Sequence, residues 1–524
     1  MYRKGRGISM RNETFRKGLV CVVMVLFIGM GIMPIAGSLS MEKHVSTDNK
    51  MSYMPVSNGG KTLYVGGDGP GNYSSIQDAI DDAEWDDTVF VYDDSSPYCE
   101  HVIIDKRIQL IGEEKNTTII DGEHIGDVIV IDEYVGRSII TGFTIQNSGN
   151  DYYDAAIENR GGNNLIAGNI ITNNDGLGIY CNGMDYERSI HNIISGNIFT
   201  HNGVGIFLDY SFDNEVYDNY VSDNGGGIDI GMSKLPSVGS NFLLDDFFNN
   251  VYQNTITNNT YGIYLYPSWY VYIYENNITN NKYGISIDVP HLCSCKHNYI
   301  YQNNIMNNQD GVLIWANFFA PAEYNYIYQN NFIGNVNHAT DTGKNNKWDN
   351  GSGNYWDDYE GIDSDGDGIG DTPYGIPEES NDRFPLMTAR GIQSDPPNKP
   401  TKPSGKSSGI IPFVKYTYST STDDPDGDMV RYLFDWGDET TSWTGYFNSG
   451  ETAKASHRWR GFGPYEIRVK AKDIYGYESD WSDSLPVTKP NNYQNSHNNQ
   501  QSSNPLFFQI LERLLVEGLL SSFP

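Results

Sequence analysis

Positive charge is scarce in this sequence. Lys and Arg number 35 against 67 Asp and Glu, a formal net charge of −32 over 524 residues. That balance excludes a nucleic-acid partner, whose phosphates need a basic face, and suits an extracytoplasmic setting rich in divalent cations. Cysteine is scarce too: Cys21, Cys99, Cys181, Cys293 and Cys295 are all there are. Cys21 sits in a leading apolar run, so cleavage there leaves four, whose pairing does not follow from spacing. Cys181 falls on an inward-facing strand position and reads as a buried thiol. The spacings that mark propellers and leucine-rich repeats are missing, and both folds go with them. Aliphatic content is modest, while Gly (55), Tyr (38) and Asn abound. A thin stacked core with polar corners has this composition.

The longest apolar run is Leu19 to Ile35, preceded by Arg3, Lys4, Arg6, Arg11, Arg16 and Lys17 and followed by Ala36-Gly37-Ser38. Residues 1–38 read as a signal peptide or an N-terminal membrane anchor, and 39–60 as a polar, disordered spacer. The rest of the chain lies outside the membrane in either case, secreted or held at the cell surface.

From Asn163 to Asn335 one pattern returns seven times: aliphatic, two variable residues, Asn, one variable, apolar, two variable, Asn. The Asn pairs are Asn169/Asn174, Asn197/Asn202, Asn219/Asn224, Asn254/Asn259, Asn276/Asn281, Asn303/Asn308 and Asn330/Asn335. After six of the pairs a Gly opens a third alternating segment, such as Gly205-Ile206-Phe207-Leu208. Period-two alternation in segments this short specifies strands, and a fixed period specifies a solenoid. Three short strands per turn make a parallel β-helix with coils stacked ~4.8 Å apart. Asn is expected to supply the left-handed corner conformation and to hydrogen-bond to the same amide one coil away. Ser74 to Ala83 reads as a short Ser-capped helix covering the first coil, where an open strand edge would invite pairing.

The register sorts the remaining side chains. If Ile206 and Leu208 point inward, two rows of the third strand point outward. One is Tyr180, Phe207, Asp229, Tyr264, Ser286, Leu313, and the other Asn182, Asp209, Gly231, Tyr266, Asp288, Trp315. On another face Tyr217, Tyr252, Tyr274, Tyr301 and Tyr328 form a column, read either as a sugar platform or as plain stacking between coils. Loop lengths vary at 231–249, 266–271, 288–298 and 315–325, where aromatic residues gather: Phe242, Phe247, Phe248, Trp269, Tyr270, Phe318 and Phe319. Insertions on one edge of a solenoid commonly build its binding face.

The opening Tyr73-Ser74-Ser75-Ile76-Gln77-Asp78-Ala79-Ile80 resembles that of pectin-lyase-like β-helix proteins. The repeats, together with Gly353-Asn354-Tyr355-Trp356-Asp357-Asp358-Tyr359 and the acidic block from Asp363 to Leu386, resemble the NosD-like β-helix proteins over residues 60–390. That resemblance implies a right-handed parallel β-helix whose last coil the acidic block caps, and brings copper into view, because founding NosD members help mature a copper-containing nitrous oxide reductase in the periplasm. Residues 61–390 are therefore the solenoid and 391–411 a Pro/Gly/Ser linker. Residues 412–488 carry Asp424-Pro425-Asp426-Gly427-Asp428, Phe434-Asp435-Trp436-Gly437-Asp438 and Ser456-His457-Arg458-Trp459, which resemble a polycystic-kidney-disease (PKD) repeat. The resemblance implies an immunoglobulin-like β-sandwich used as a spacer or adhesion module. The pattern departs at Glu439, where Gly is usual. Residues 489–504 read as a polar tether and 505–524 as a short apolar helix, too short and charged to span a bilayer, that attaches to the cell envelope or to itself. The fold class is thus all-β: a right-handed parallel β-helix followed by a sandwich.

Three constellations carry chemistry. Asp209 and Asp229 fall one coil apart and two residues offset, about 8 Å by strand geometry. That separation suits inverting glycoside hydrolysis, although the further Asp, His, Arg and Lys motifs of pectin-type enzymes are absent from this face. Tyr180, Tyr264, Tyr266, Asp288, Trp315 and Trp269 are the expected glycan-binding residues. His291, Cys293, Cys295 and His297 alternate, so in an extended segment all four point to one side, a donor set for zinc or copper, with disulfides as the alternative. Asp363, Asp365, Asp367, the Ile369 carbonyl and Asp371 occupy positions 1, 3, 5, 7 and 9 of a calcium loop. Tyr374 stands where a bidentate Glu belongs, so the shell has to be completed elsewhere, with Asp358 and Asp382 as the candidates. The readings that follow are binding of a polysaccharide or surface glycan, a polysaccharide hydrolase or lyase on the same face, and NosD-like copper handling.

Overall fold

The computed structural model describes residues 60–183, 189–231, 248–289, 294–316, 321–378, 380–461 and 463–488. The leader, the polar tether, the C-terminal helix and the loop residues His291, Cys293, Phe242, Phe247, Phe318 and Phe319 lie outside them. The chain divides into two compact units, 1–392 and 393–524.

The first unit winds through three parallel sheets. Eleven strands from Thr62–Val65 to Tyr326–Tyr328 form one, eleven from Tyr98–Cys99 to Tyr355–Trp356 the second, and ten from Val102–Ile104 to Asn337–Asp341 the third. Inward positions are aliphatic and sealed: Ile166, Ile194, Val216, Val251, Ile273, Ile300 and Ile327 form one buried row. Cys181 belongs to this interior, its thiol pushed up to about 12 by burial. The helix Ile76–Asp82 covers the first coil, burying Ile76, Ala79 and Ile80. Ser75 caps its N-terminus, and the Glu100 carboxylate accepts the Ile76 and Gln77 amides (2.9 and 3.0 Å).

Asparagine fixes the corners, but not in the way expected. The ladder Asn is not the left-handed residue. The residue before it is: Gly168, Gly196, Asp218, Gln253, Glu275, Gln302 and Gln329 precede the first Asn of each pair, and Asn173, His201, Asp223, Asn258, Asn280, Asn307 and Gly334 the second, all with φ between 54° and 69°. Turning the chain there swings the following side chain into the barrel. Each Asn then donates Nδ2–H to Oδ1 of its counterpart one coil on, at 2.8–3.1 Å, from Asn169 to Asn354 and from Asn174 to Asn335. A third column, Asn164, Asn192, Asn214, Asn249, Asn298, Asn325 and Asn346, occupies the remaining corner, with Val271 interrupting it.

Because the Asn-to-Asn bonds within each column all run toward the C-terminus, each column ends in donors that need an acceptor. The last strand of the ten-stranded sheet and the acidic block supply them. Asn354 N–H meets Asp382 Oδ2 at 2.6 Å, Asn346 Nδ2 meets Asp341 Oδ1 at 2.9 Å, and Asn335 Nδ2 meets His338 Nδ1 at 3.3 Å. Phe332, Trp356 and Tyr374 stack over the last coil at centroid spacings of 4.2 Å.

The second unit is a sandwich of two antiparallel sheets, one of Ser404–Gly405, Tyr416–Thr420 and Ala453–His457, the other of Thr441–Trp443, Val430–Asp435, Tyr465–Asp473 and Leu485–Val487. Trp436, Trp459, Tyr418 and Phe434 fill its core. The segment expected to be linker contributes to it: Ser404–Gly405 pairs with Tyr416–Thr420, and Ile410 is buried.

Candidate functional site

The outer face of the ten-stranded sheet has the register expected. Asn182 pairs with Asp209, Asp209 with Gly231, Tyr180 with Phe207, Phe207 with Asp229, Asp229 with Tyr264, and Asp288 with Trp315. Its two ends differ in exposure.

Toward the N-terminus the face is closed. Tyr153 stacks on Tyr180 (5.3 Å) and Tyr180 on Phe207 (5.5 Å), so the expected open surface is a small apolar cluster with Ala155 and Leu177. Tyr180 is 2 % and Asp209 1 % exposed. Both were expected to face solvent; they point outward from the strand but are roofed by neighbouring rings, and the Tyr180 hydroxyl donates to Asp209 Oδ2 at 3.4 Å. Asp229 is half-buried, with Oδ1 sealed and without a hydrogen-bond partner among the described residues. Burial pushes its carboxyl up to about 7.

One coil earlier the same outward row holds Glu158, the register partner of Tyr180. Glu158 pairs with Arg160 and accepts from Asn182 Nδ2 at 2.9 Å. Beside it Asp127 is pushed up to about 7, by burial first and by the Glu158 charge second. Carrying the row one coil back from Tyr180 identifies Glu158 from sequence alone.

Toward the C-terminus the face is open. Trp315 is 55 % exposed, and among the described residues no aromatic ring lies against it. Its register partner Asp288 accepts the Tyr264 hydroxyl at 3.2 Å, and Tyr264 stacks on Tyr266 at 5.9 Å. Trp269, expected here, serves another strip: its Nε1–H holds the Ser294 carbonyl at 2.8 Å.

The tyrosine column is wider than the sequence pattern implied. Tyr217, Tyr252, Tyr274, Tyr301 and Tyr328 stack at 5.0–5.3 Å. Beside them run Tyr272, Tyr299 and Tyr326, then Tyr270, His297 and Tyr324. Stacking places each interior ring between two neighbours, so the faces a sugar would need are occupied. This strip is structural glue rather than a platform.

The expected zinc or copper set does not assemble from its described members. Cys295 is buried against Ser268, while His297 takes the left-handed corner (φ 56°) and leaves the core for the aromatic column. The corner breaks the alternation on which a common side depended. The histidine-centred group among the described residues is His338 with Asp357 and Asp358, ligand atoms within 4.8 Å. It fits copper poorly. Asn335 has its Oδ1 committed to Asn308, so its Nδ2 donates to His338 Nδ1. The imidazole proton therefore sits on Nε2, facing Asp357 Oδ1 at 2.8 Å.

Asp363, Asp365 and Asp367 do converge, also within 4.8 Å. Asp363 is held below the usual carboxylate range by backbone N–H groups, that of Gly368 first. Asp371 turns one oxygen to the Ser364 amide (3.0 Å). Asp382 is not available to this loop, since it is buried beneath Trp356, whose Nε1–H it accepts at 2.9 Å. Asp358 is engaged by the Tyr374 hydroxyl at 3.2 Å.

Comparison with known proteins bears on each unit separately. The family model of the periplasmic copper-binding protein (NosD) matches residues 234–361, and that of the right-handed β-helix region matches 86–243. The PKD domain of an M14-like peptidase from Thermoplasmatales archaeon SCGC AB-540-F20 is 44 % identical, covering 19 % of this chain and 99 % of that one, with a TM-score of 0.18. The Dettilon tailspike protein is 13 % identical over 82 % of this chain and 92 % of its own, with a TM-score of 0.30. No curated protein matches the chain. Among the described residues no helix is long and apolar enough to cross a membrane.

Proposed function

The chain is a NosD-like right-handed parallel β-helix protein with a PKD-type domain, and we propose that it is an exported surface protein whose solenoid binds a polysaccharide. The observation that carries this reading is Trp315, an exposed indole with no ring stacked on it among the described residues, beside a carboxylate acceptor, Asp288, already oriented by Tyr264. An aromatic face takes the apolar side of a pyranose, and an oriented carboxylate accepts its hydroxyls. The net charge of −32 repels uronate polymers and favours a neutral polysaccharide. The loop Asp363, Asp365, Asp367, Ile369 and Asp371 is the proposed calcium site of the solenoid cap, its oxygen donors suiting that ion.

A glycan-array screen of the full chain, followed by affinity electrophoresis in the best neutral polysaccharide, tests the reading. Trp315→Ala is expected to weaken binding at least about tenfold, roughly 1.4 kcal/mol. Tyr274→Ala, which removes a ring from the stack, leaves affinity unchanged. Undiminished binding by Trp315→Ala overturns the assignment. A hydrolase reading draws on the perturbed Asp229 carboxyl; it requires release of reducing ends that Asp229→Asn abolishes while binding persists.

A further inference from the structure

The second unit holds a group of acids that polysaccharide binding does not use. The turn Asp424-Pro425-Asp426-Gly427-Asp428 leads into strand Val430–Asp435, and Asp424 Oδ1 closes it by accepting the Asp426 and Asp428 amides (3.0 and 3.1 Å). Asp473, at the end of strand Tyr465–Asp473, does the same for the next turn, its Oδ1 accepting the Tyr475 and Tyr477 amides (2.9 and 2.8 Å). Only one oxygen of each carboxylate is committed. Asp424 Oδ2 and Asp473 Oδ2 are sealed from solvent, and neither has a hydrogen-bond partner among the described residues. The residues are 6 % and 0 % exposed. One ligand atom from each, with one from Asp428, lies within 4.8 Å of the others.

Bare carboxylate oxygens brought together in a buried place repel one another, and the fold keeps them there only with something positive between them. No described Lys or Arg forms an ion pair with any of the three. Protons are one answer: burial pushes Asp473 up to about 6 and raises Asp424 as well. At neutral pH a cation is the other. The donors are all oxygen, which excludes a preference for copper or zinc. Three carboxylates converging on one place suit calcium, which takes about six to eight oxygen ligands in flexible geometry, better than magnesium, which keeps most of its water and uses one or two carboxylates. The segment entering the unit reaches the same turn. Ser394 Oγ donates to Asp428 Oδ2 at 2.9 Å and to Asp426 Oδ2 at 3.3 Å, and the Asp395 amide donates to Asp426 Oδ2 at 2.7 Å.

We propose that Asp424, Asp428 and Asp473 form a calcium site in the sandwich, with Ser394 at its mouth, through which the ion fastens the entering segment to the body of the unit. The site is separate from the acidic loop of the solenoid cap and independent of polysaccharide binding.

The test uses the full chain carrying Asp365→Asn and Asp367→Asn, which removes the cap loop as a competing site. After metal is stripped with EDTA and the chelator removed, calcium chloride is titrated by calorimetry and thermal unfolding is followed with and without calcium. A single saturable site and a rise of several degrees in the unfolding midpoint are expected. Adding Asp428→Asn, a half-buried position whose loss leaves both turn-closing oxygens in place, weakens calcium binding at least tenfold while the calcium-free transition stays cooperative. Asp424→Asn gives the same loss of binding. Neither heat nor a shift in the parent, or undiminished binding in both variants, overturns the proposal.

Discussion

A corner of this solenoid is the work of two neighbouring residues with separate tasks. One adopts positive φ and the next sends an amide inward, so Glu275 can turn the chain while Asn276 bonds to Asn254 and Asn303. The same conformational demand appears in the sandwich at Glu439, which has φ 66°. A left-handed residue with a Cβ costs about 1–2 kcal/mol, and Gly returns part of that as unfolded-state entropy. Glu439→Gly is therefore predicted to stabilise the second unit by roughly 0.5–1 kcal/mol, read as a rise in its denaturant midpoint at constant slope. Residue-level legibility was uneven for a physical reason. Alternation reveals which way a strand side chain leaves the backbone, and it placed Asp209, Asp229 and Trp315 in their rows. It does not reveal what covers a row. Tyr153 roofs Tyr180 from a loop outside the repeat, and the Tyr180 hydroxyl in turn reaches Asp209.

At the scale of elements, the amide columns behave as polar wires running the length of the solenoid. Asn276 is typical: Oδ1 accepts both N–H groups of Asn254, while Nδ2 donates to the Val251 and Tyr274 carbonyls and to Asn303. Replacing it by Leu fills the volume but takes the acceptor from both Asn254 N–H groups and a donor from the Val251 and Tyr274 carbonyls. At about 1–3 kcal/mol for each unmet group, Asn276→Leu is predicted to cost roughly 3–5 kcal/mol in equilibrium unfolding; a loss under about 1 kcal/mol contradicts the ladder account. The natural break at Val271 is tolerated because its amide still donates to Asn298 Oδ1 (3.1 Å). Two of the three columns were legible because their Asn recur at a fixed offset from the core aliphatic. The third was as regular, two residues before that aliphatic, but variable loops precede it and hide its period. The acceptors that finish the columns, Asp382, Asp341 and His338, repeat nowhere, so only coordinates reveal them.

For the whole molecule, the acidic composition has a consequence opposite to ordinary acid lability. Asp127 and Asp229 are pushed up to about 7 and Asp382 to about 6, burial leading in each case. Carboxyls ionise near 4 in the unfolded chain, so the folded state binds these protons more tightly. Their stabilisation is complete below about pH 4 and is lost as pH rises through 6 and 7. Asp349 and Asp363 are shifted the other way and lose their contribution as pH falls below about 4. In EDTA the unfolding midpoint is predicted to climb as pH is lowered from about 7.5 to about 5 and to fall again below about 4; a midpoint that drops steadily across the upper range contradicts the burial of these groups. The central claim is that such a scaffold presents one open aromatic face to a neutral polysaccharide. Hydrogen–deuterium exchange of the full chain, with and without the best-binding polysaccharide, tests it most directly. Protection confined to strands Tyr283–Asp288 and Asp310–Trp315 is the predicted result, and protection centred instead on the tyrosine strip at Tyr272–Tyr274 and Tyr299–Tyr301 would contradict it.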